Sequence, residues 1–156
     1  MLIDLATAKL HLRVGDDEDT LVTLYLNAAE RSAALFLNRN VYADIAELAA
    51  AIAAVPVALA SATAAFYAAT MAADSLADET ERLAAVSFAS TVYLEAQASA
   101  RMVRAGIVVD DVVKAAILLM LGHLYSNRQE VQAGAAVQIP MGVHSLLYPF
   151  RVGLGV

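Results

Sequence analysis

The sequence predicts an all-α protein: a small helical bundle with an alanine-rich antiparallel helical hairpin inserted into it. Apolar residues recur in steps of three and four over most of the chain, and alternation of strand type is confined to a weak instance at Ala135 to Ile139. Between Ala43 and Ala105 the chain is dominated by alanine and holds no glycine. Such a stretch favours long helices, with Pro56 and the turn "ADSLADE" as its interruptions.

The first zone, Met1 to Tyr42, reads as two helices. Asp4 is placed to cap a short helix from Leu5 to Arg13, with Leu5, Ala8 and Leu12 at helical spacing and Gly15 as its stop. Asp16, Asp17, Glu18 and Asp19 stand where the next helix begins, and the helix dipole with its free N–H groups favours negative charge there. That helix is expected to end at about Leu37 or Asn38, with Leu21, Leu24, Tyr25, Ala28, Ser32, Leu35 and Phe36 on its apolar face. Calcium binding is the competing reading of the acidic run, but the D-x-[DN]-x-[DN]-G pattern with its twelfth-position glutamate is absent. Capping is preferred.

The second zone, 43–105, carries a seam of Ile45, Leu48, Ile52, Val55, Leu59, Ala62, Phe66, Ala69 and Ala73, stepping by three and four as in an antiparallel helix pair. Pro56 removes one helical hydrogen bond, so the helix either restarts there or kinks. "ADSLADE", Ala73 to Glu79, supplies a turn and a cap. A second helix from about Asp78 to Arg104 returns with Leu83, Val86, Ser90, Tyr93, Gln97 and Ala100 on its seam. Alanine faces let such helices approach closely, near the low end of a range of roughly 8–10 Å.

In the third zone Gly106 breaks the helix, and Asp110 or Asp111 can cap the next. From Asp111 to about Val131 the apolar density is that of a central core helix, covering nearly every face. A short helix around Met141 to Leu147 follows the punctuation at Gly134 and Pro140, and 148–156 reads as a flexible C-terminal tail. The whole chain, 1–156, is thus expected to be a single domain with the hairpin as its insertion.

Composition excludes several functions. Ten Lys plus Arg against sixteen Asp plus Glu give a net charge of −6, which offers no electrostatic footprint for gripping nucleic acid. Without cysteine there is no disulfide framework, thiolate metal site or cysteine nucleophile. The opening "MLIDLATAKLHLRV" lacks the basic and apolar regions of a signal peptide, so export is not expected. The uncharged run Leu48 to Ala73 is long enough to cross a bilayer, but about half of it is alanine, and Ser61, Thr63, Thr70 and Pro56 weaken it further. A surplus of apolar residues in a chain with its own core points instead to self-association.

Chemistry-bearing patterns are few. No P-loop, H-E-x-x-H, G-x-S-x-G or G-x-G-x-x-G occurs, and His11, His123 and His144 lie on separate elements with no second ligand one helical turn away. No catalytic, cofactor or metal residue is therefore assigned. "GHLYSNRQEV", Gly122 to Val131, is the richest polar stretch. In a helix Tyr125 and Arg128 share one face while His123 and Glu130 turn elsewhere, so convergence on one substrate atom is not expected. Tyr and Arg are enriched at protein interfaces, which favours a contact surface over a solvated helix end or an acid/base set.

Two stretches resemble a known family. "LATAKLHLRVGDDEDTLVTLYLNAAERSAALFLNR" is similar to the opening of siphovirus-type head–tail connectors, the adaptor ring proteins of tailed phages, where a His-Leu-Arg helix end precedes an acidic loop and a second helix. "KAAILLMLGHLYSNRQEV" and "IPMGVHSLLYPFRVG" are similar to that family's close, here Pro140, Gly142, Leu146, Leu147, Pro149 and Arg151. The alanine hairpin departs from the shorter members. The resemblance implies a structural, non-enzymatic subunit of a homo-oligomeric ring in the virion, assembled in the host bacterial cytoplasm. It also implies the portal protein and a stopper or tail-completion protein as partners, non-specific passage of double-stranded DNA, and no cofactor or membrane. An acidic ring suits passage, because lysines and arginines on phosphates would hold the genome. The expected contact residues are Tyr125, Asn127, Arg128, Glu130, Leu147, Tyr148, Phe150 and Arg151. Two rivals stand beside it: a holin-like membrane-active phage protein built on 48–73, and an enzyme using His123 with neighbouring carboxylates.

Overall fold

A computed structural model describes residues 1–127 and 141–153. It is mostly helical. The order is α1 (Leu5–Leu12), a 3₁₀ turn (Asp16–Glu18), α2 (Asp19–Leu37), β1 (Val41–Tyr42), α3 (Ile45–Asp74), α4 (Glu79–Arg104), β2 (Ile107–Val108), α5 (Asp111–Ser126), α6 (Met141–Leu147) and a second 3₁₀ turn (Tyr148–Phe150). Two compact units result, one of Met1–Ile45 with Gly106–Val156, the other Ala46–Ala105.

In the first unit α1 and α5 start on the caps their sequence supplies, whereas α2 does not: Glu18 at its start makes no side-chain cap, and the acidic run forms a 3₁₀ turn instead. Asp4 accepts from Thr7 N at 2.8 Å, and Asp110 accepts from Val113 N at 2.8 Å, each satisfying an orphan donor of the first turn. The stops differ from expectation in one place. α1 ends at Leu12 because Arg13 itself takes the left-handed conformation (φ 58°) and its N–H returns to Leu10 and Lys9 carbonyls, so Gly15 is not the stop. Asn38, at φ 54°, ends α2 the same way, where asparagine tolerates the left-handed region.

The core is a layer of α2 on α5, closed by α1 and α6. α2 contributes Val22, Leu26, Ala29, Ala33 and Leu37, and α5 contributes Val113, Ala116, Ile117, Met120 and Leu121. This corrects the expected face of α2, which is rotated by about one residue: Leu24 and Leu35 are exposed, and the buried stripe runs through Val22 and Leu26. Nor is α5 buried all round, since Val112 and Leu119 meet solvent. Each of the fully buried leucines contributes roughly 1.5–3 kcal/mol of transfer free energy, so Leu26, Leu37, Leu121 and Leu147 are a large part of this unit's stability. Gly122 on α5 faces α1, where an added Cβ would come within 3.4 Å of His11 Nε2. At the N-terminus, Glu30 of α2 accepts from Leu2 N (2.6 Å) and Ile3 N (3.1 Å), fixing the stretch of chain that buries Ile3.

A two-residue parallel sheet, absent from the expectation, joins Val41 to Ile107 and Tyr42 to Val108. Ile107 N donates to Asn40 O at 3.0 Å and Val109 N to Tyr42 O at 2.8 Å. Parallel strands need a long crossover, and here the crossover is the whole hairpin.

The second unit is that hairpin of α3 and α4. α3 runs through Pro56 as one helix, with the ring on an exposed face where the missing hydrogen bond costs least packing. Asp78 caps α4 by accepting from Glu81 N at 2.9 Å. Val55, Ala73, Ala89 and Ala100 are buried, while Phe66 stacks on Tyr93 with ring centroids 5.4 Å apart. The Phe66–Tyr93 stack joins the two helices, and the close alanine approach expected between them is not seen. Ile45, Ile52 and Leu83, expected there, are exposed.

Candidate interface

The expected contact residues fall on three kinds of ground. Tyr125, near the end of α5, donates its hydroxyl to Glu18 Oε2 at 2.6 Å, tying α5 to the acidic turn 107 residues earlier. Asn127 follows the last turn: its backbone N–H donates to His123 O at 3.0 Å and its side chain to the same carbonyl at 2.9 Å, satisfying a helix-end acceptor. Both groups have intramolecular partners. Arg128 and Glu130 lie outside the described residues.

The C-terminal candidates separate by burial. Leu147 is fully buried in the core of the first unit, so its side chain is a packing group and is not offered to a neighbour. Tyr148 is exposed, Phe150 is half-buried against the core, and the Arg151 guanidinium lies 5.2 Å from the centroid of the Phe36 ring. Val152 N donates to Leu37 O at 3.1 Å, and Asn38 Nδ2 donates to Val152 O at 3.4 Å. Gly153 follows at φ 65°, a conformation that favours glycine, and an added Cβ would come within 2.9 Å of Asn38 Nδ2. Residues 148–153 of the segment expected as a tail thus lie along the C-terminal end of α2.

The acidic run is held by a lysine. Lys9 of α1 pairs with Asp16 and, at 2.6 Å, with Asp19, which neutralises part of the turn's charge inside the unit. Hydrogen bonding from Lys9 holds the Asp16 carboxyl below its ordinary value, and Asp16, then Asp19, raise the Lys9 ammonium above its own. Among the described residues no group of three or more His, Asp or Glu side chains is arranged to hold a metal ion.

His123 and His144 meet in a cleft of about 140 Å³, with Ser32, Phe36, Met120, Leu124, Val143 and Leu147. The His144 ring stands edge-on to Phe36 at 4.6 Å, and His123 Nδ1 sits 3.2 Å from Asn127 Nδ2. No carboxylate lines the cleft among the described residues. Sequence spacing does not bring these two histidines together; the packing of α6 on α5 does.

The hairpin carries a surface that spacing alone does not flag. Val57, Tyr67 and Met71 on α3, and Phe88, Val92 and Leu94 on α4, are exposed large apolar side chains. Between the helices near their turn runs an open groove of about 450 Å³ lined almost wholly by alanine, Phe66, Leu76, Phe88, Val92 and Tyr93. Exposed apolar surface on this scale marks interaction sites. The signal in the sequence is the set of large apolar residues lying off the heptad seam. α3 is also long and apolar enough to cross a membrane, with 30 residues, a window of mean hydropathy 2.0 and 6% of that window buried.

The family model described as phage gp6-like head-tail connector protein matches residues 2–104, about two-thirds of the chain, running from the N-terminal helices through the alanine hairpin. The third zone, where the second stretch of resemblance lies, is outside that match. No curated protein and no solved structure matches the chain.

Proposed function

The chain belongs to the phage gp6-like head-tail connector protein family, and from that premise we propose that it is one subunit of a homo-oligomeric adaptor ring between the portal and the tail. The family is structural and not enzymatic. The ring sits in the virion, meets the portal protein on one side and a stopper or tail-completion protein on the other, and lets double-stranded DNA pass. The observation that carries this reading is the family match over 2–104 taken with the exposed apolar hairpin it includes. A chain with a complete core in its first unit has no intramolecular need for Val57, Tyr67, Met71, Phe88 and Leu94 to be apolar. Neighbouring subunits in a closed heterologous assembly supply the need.

Tyr148, Phe150 and Arg151, with Arg128 and Glu130, are the residues we place at contacts with a neighbour or the portal. Tyr125 and Asn127 act one step back, by fixing the end of α5. The net charge suits a DNA conduit, because at −6 per subunit the ring repels the phosphate backbone and gives it no place to bind tightly.

One observation favours the membrane reading, the exposed, uncharged α3. Its partner argues against insertion, since α4 carries Glu79, Glu81, Arg82, Glu95, Arg101 and Arg104 along its length, and a charged residue costs about 2.5–3.5 kcal/mol near the bilayer centre. Purified protein alone and mixed with portal, viewed by negative-stain microscopy, tests the proposal. Rings alone or on portal vertices are expected; a protein that partitions into the detergent phase and forms no ring in either sample excludes it.

A further inference from the structure

The hairpin is electrically lopsided as well as apolar. At its turn, Asp74, Asp78, Glu79 and Glu81 are all exposed, and Arg82 offsets them only partly through a 3.6 Å contact with Glu79. The backbone N–H of Glu81 holds the Asp78 carboxyl below its ordinary value. The apolar groove opens beside this acidic turn, lined there by Ala72, Ala73, Leu76 and Ala85.

At the other end of α4 the situation is reversed. Leu94, Gln97, Arg101 and Arg104 follow one another in steps of three and four, so they form one stripe. Gln97, Arg101 and Arg104, with Tyr93 and Leu59, line a polar hollow of about 250 Å³. Both arginines are exposed on this stripe, and neither guanidinium makes an ion pair or a hydrogen bond among the described residues. Leu94 stands exposed as an apolar knob beside them.

These two ends cannot serve each other within one chain. Glu81 and Arg101 are twenty residues apart on a single helix, about 30 Å at roughly 1.5 Å per residue, several times the Debye length of roughly 8 Å at physiological ionic strength. A second copy displaced along the hairpin brings them together.

We propose that the apolar groove and acidic turn of one hairpin receive the Leu94–Arg104 stripe of α4 from a neighbouring copy, a turn-to-base contact repeated from subunit to subunit. This rests on the ring reading above and names the surface that builds it. Leu94 enters the alanine-floored groove between Phe66 and Phe88, and Arg101 and Arg104 meet Asp74 and Glu81 at its rim. Because the two faces differ, the contact is heterologous, the kind that closes into a ring. Apolar burial supplies the attraction, and the charges fix register and direction.

Charge reversal with rescue tests it, read by native mass spectrometry and light scattering at matched concentration. The base variant carries Arg101→Glu and Arg104→Glu; the turn variant carries Asp74→Lys and Glu81→Lys. Each alone should lose assembly, with the midpoint rising at least about tenfold in protein concentration, while helicity by circular dichroism stays at the parent level. An equimolar mixture of the two should assemble, because each reversed face then finds its complement, and so should a chain carrying all four changes. Leu94→Glu, at an exposed position, should also weaken assembly. If reversed chains assemble like the parent, or the mixture stays dissociated, the contact is elsewhere and the ring reading stands without it. Should the parent form no ring alone or on portal, the ring reading falls and this contact with it.

Discussion

Leu24 and Leu26 sit two residues apart on α2, and sequence pattern alone puts the first on the buried face. In the structure Leu26 is 0% exposed, packed in the layer between α2 and α5, whereas Leu24 is 62% exposed. Truncating Leu26 removes buried methyl and methylene groups from a site closed by α5, which cannot collapse freely. The loss is about 3–4 kcal/mol, from transfer free energy plus the cavity left behind. For a chain of this size that lowers Tm by roughly 6–16 °C, at about 2–4 °C per kcal/mol. Leu24→Ala removes little buried area and should stay within about 0.5 kcal/mol of the parent. Urea unfolding followed by circular dichroism, in a sample dilute enough to exclude assembly, measures both. Equal losses, or a larger loss from Leu24→Ala, would refute the packing of α2 described above.

Other perturbations probe neighbouring contacts. Tyr125→Phe and Glu18→Gln, combined in a double-mutant cycle, should couple by about 0.5–3 kcal/mol if the 2.6 Å hydrogen bond joins α5 to the acidic turn; additive losses would separate the two residues. The Lys9 pair sets a pH window. Asp16 is depressed below its ordinary 3.8, so its contribution is present above that value and fades as pH falls through the lower folded one, while Lys9, raised above 10.5, contributes fully below that value and loses its share as pH rises through the higher folded one. Lys9→Met should therefore flatten both arms of a stability-versus-pH curve, and unchanged arms would show the pair to be idle. Asp110→Ala should cost about 1 kcal/mol by removing the cap on α5, measured by the same urea unfolding. Pro56→Ala restores one helical hydrogen bond on an exposed face and should raise the melting temperature of the hairpin; a lower one would mean that proline sets a bend that packing requires.

Local chemistry is readable in this sequence and long-range chemistry is not. The caps at Asp4, Asp78 and Asp110, the end of α2 at Asn38 and the short helix α6 follow from residue type and spacing, because a cap or stop is decided within four residues. The hairpin is readable for the same reason, being long, periodic and free of glycine. Its neighbour, the two-residue parallel sheet, is too short for any period to register and depends on chain ends brought together by the crossover. The one-residue rotation of α2 arises because Leu24 and Leu35 are as apolar as Leu26 and Leu37, so pattern cannot choose between adjacent faces. For the candidate interface, Tyr125 stands out by type, but its partner Glu18 lies 107 residues away and no local rule reaches it. Leu147 belongs to a motif that suggests contact and proves to be core, since α6 folds it onto α5. The exposed hairpin surface is hidden by alanine, which fits a seam or a groove floor equally well.

Native mass spectrometry of the purified protein mixed with its cognate portal measures most directly whether this chain assembles with copies of itself to join a portal to a tail. A single closed stoichiometry bound to the portal, lost when the exposed Val57, Met71, Phe88 and Leu94 are changed to glutamate, is the predicted result. A strictly monomeric protein that leaves the portal's mass unchanged at every concentration would contradict it.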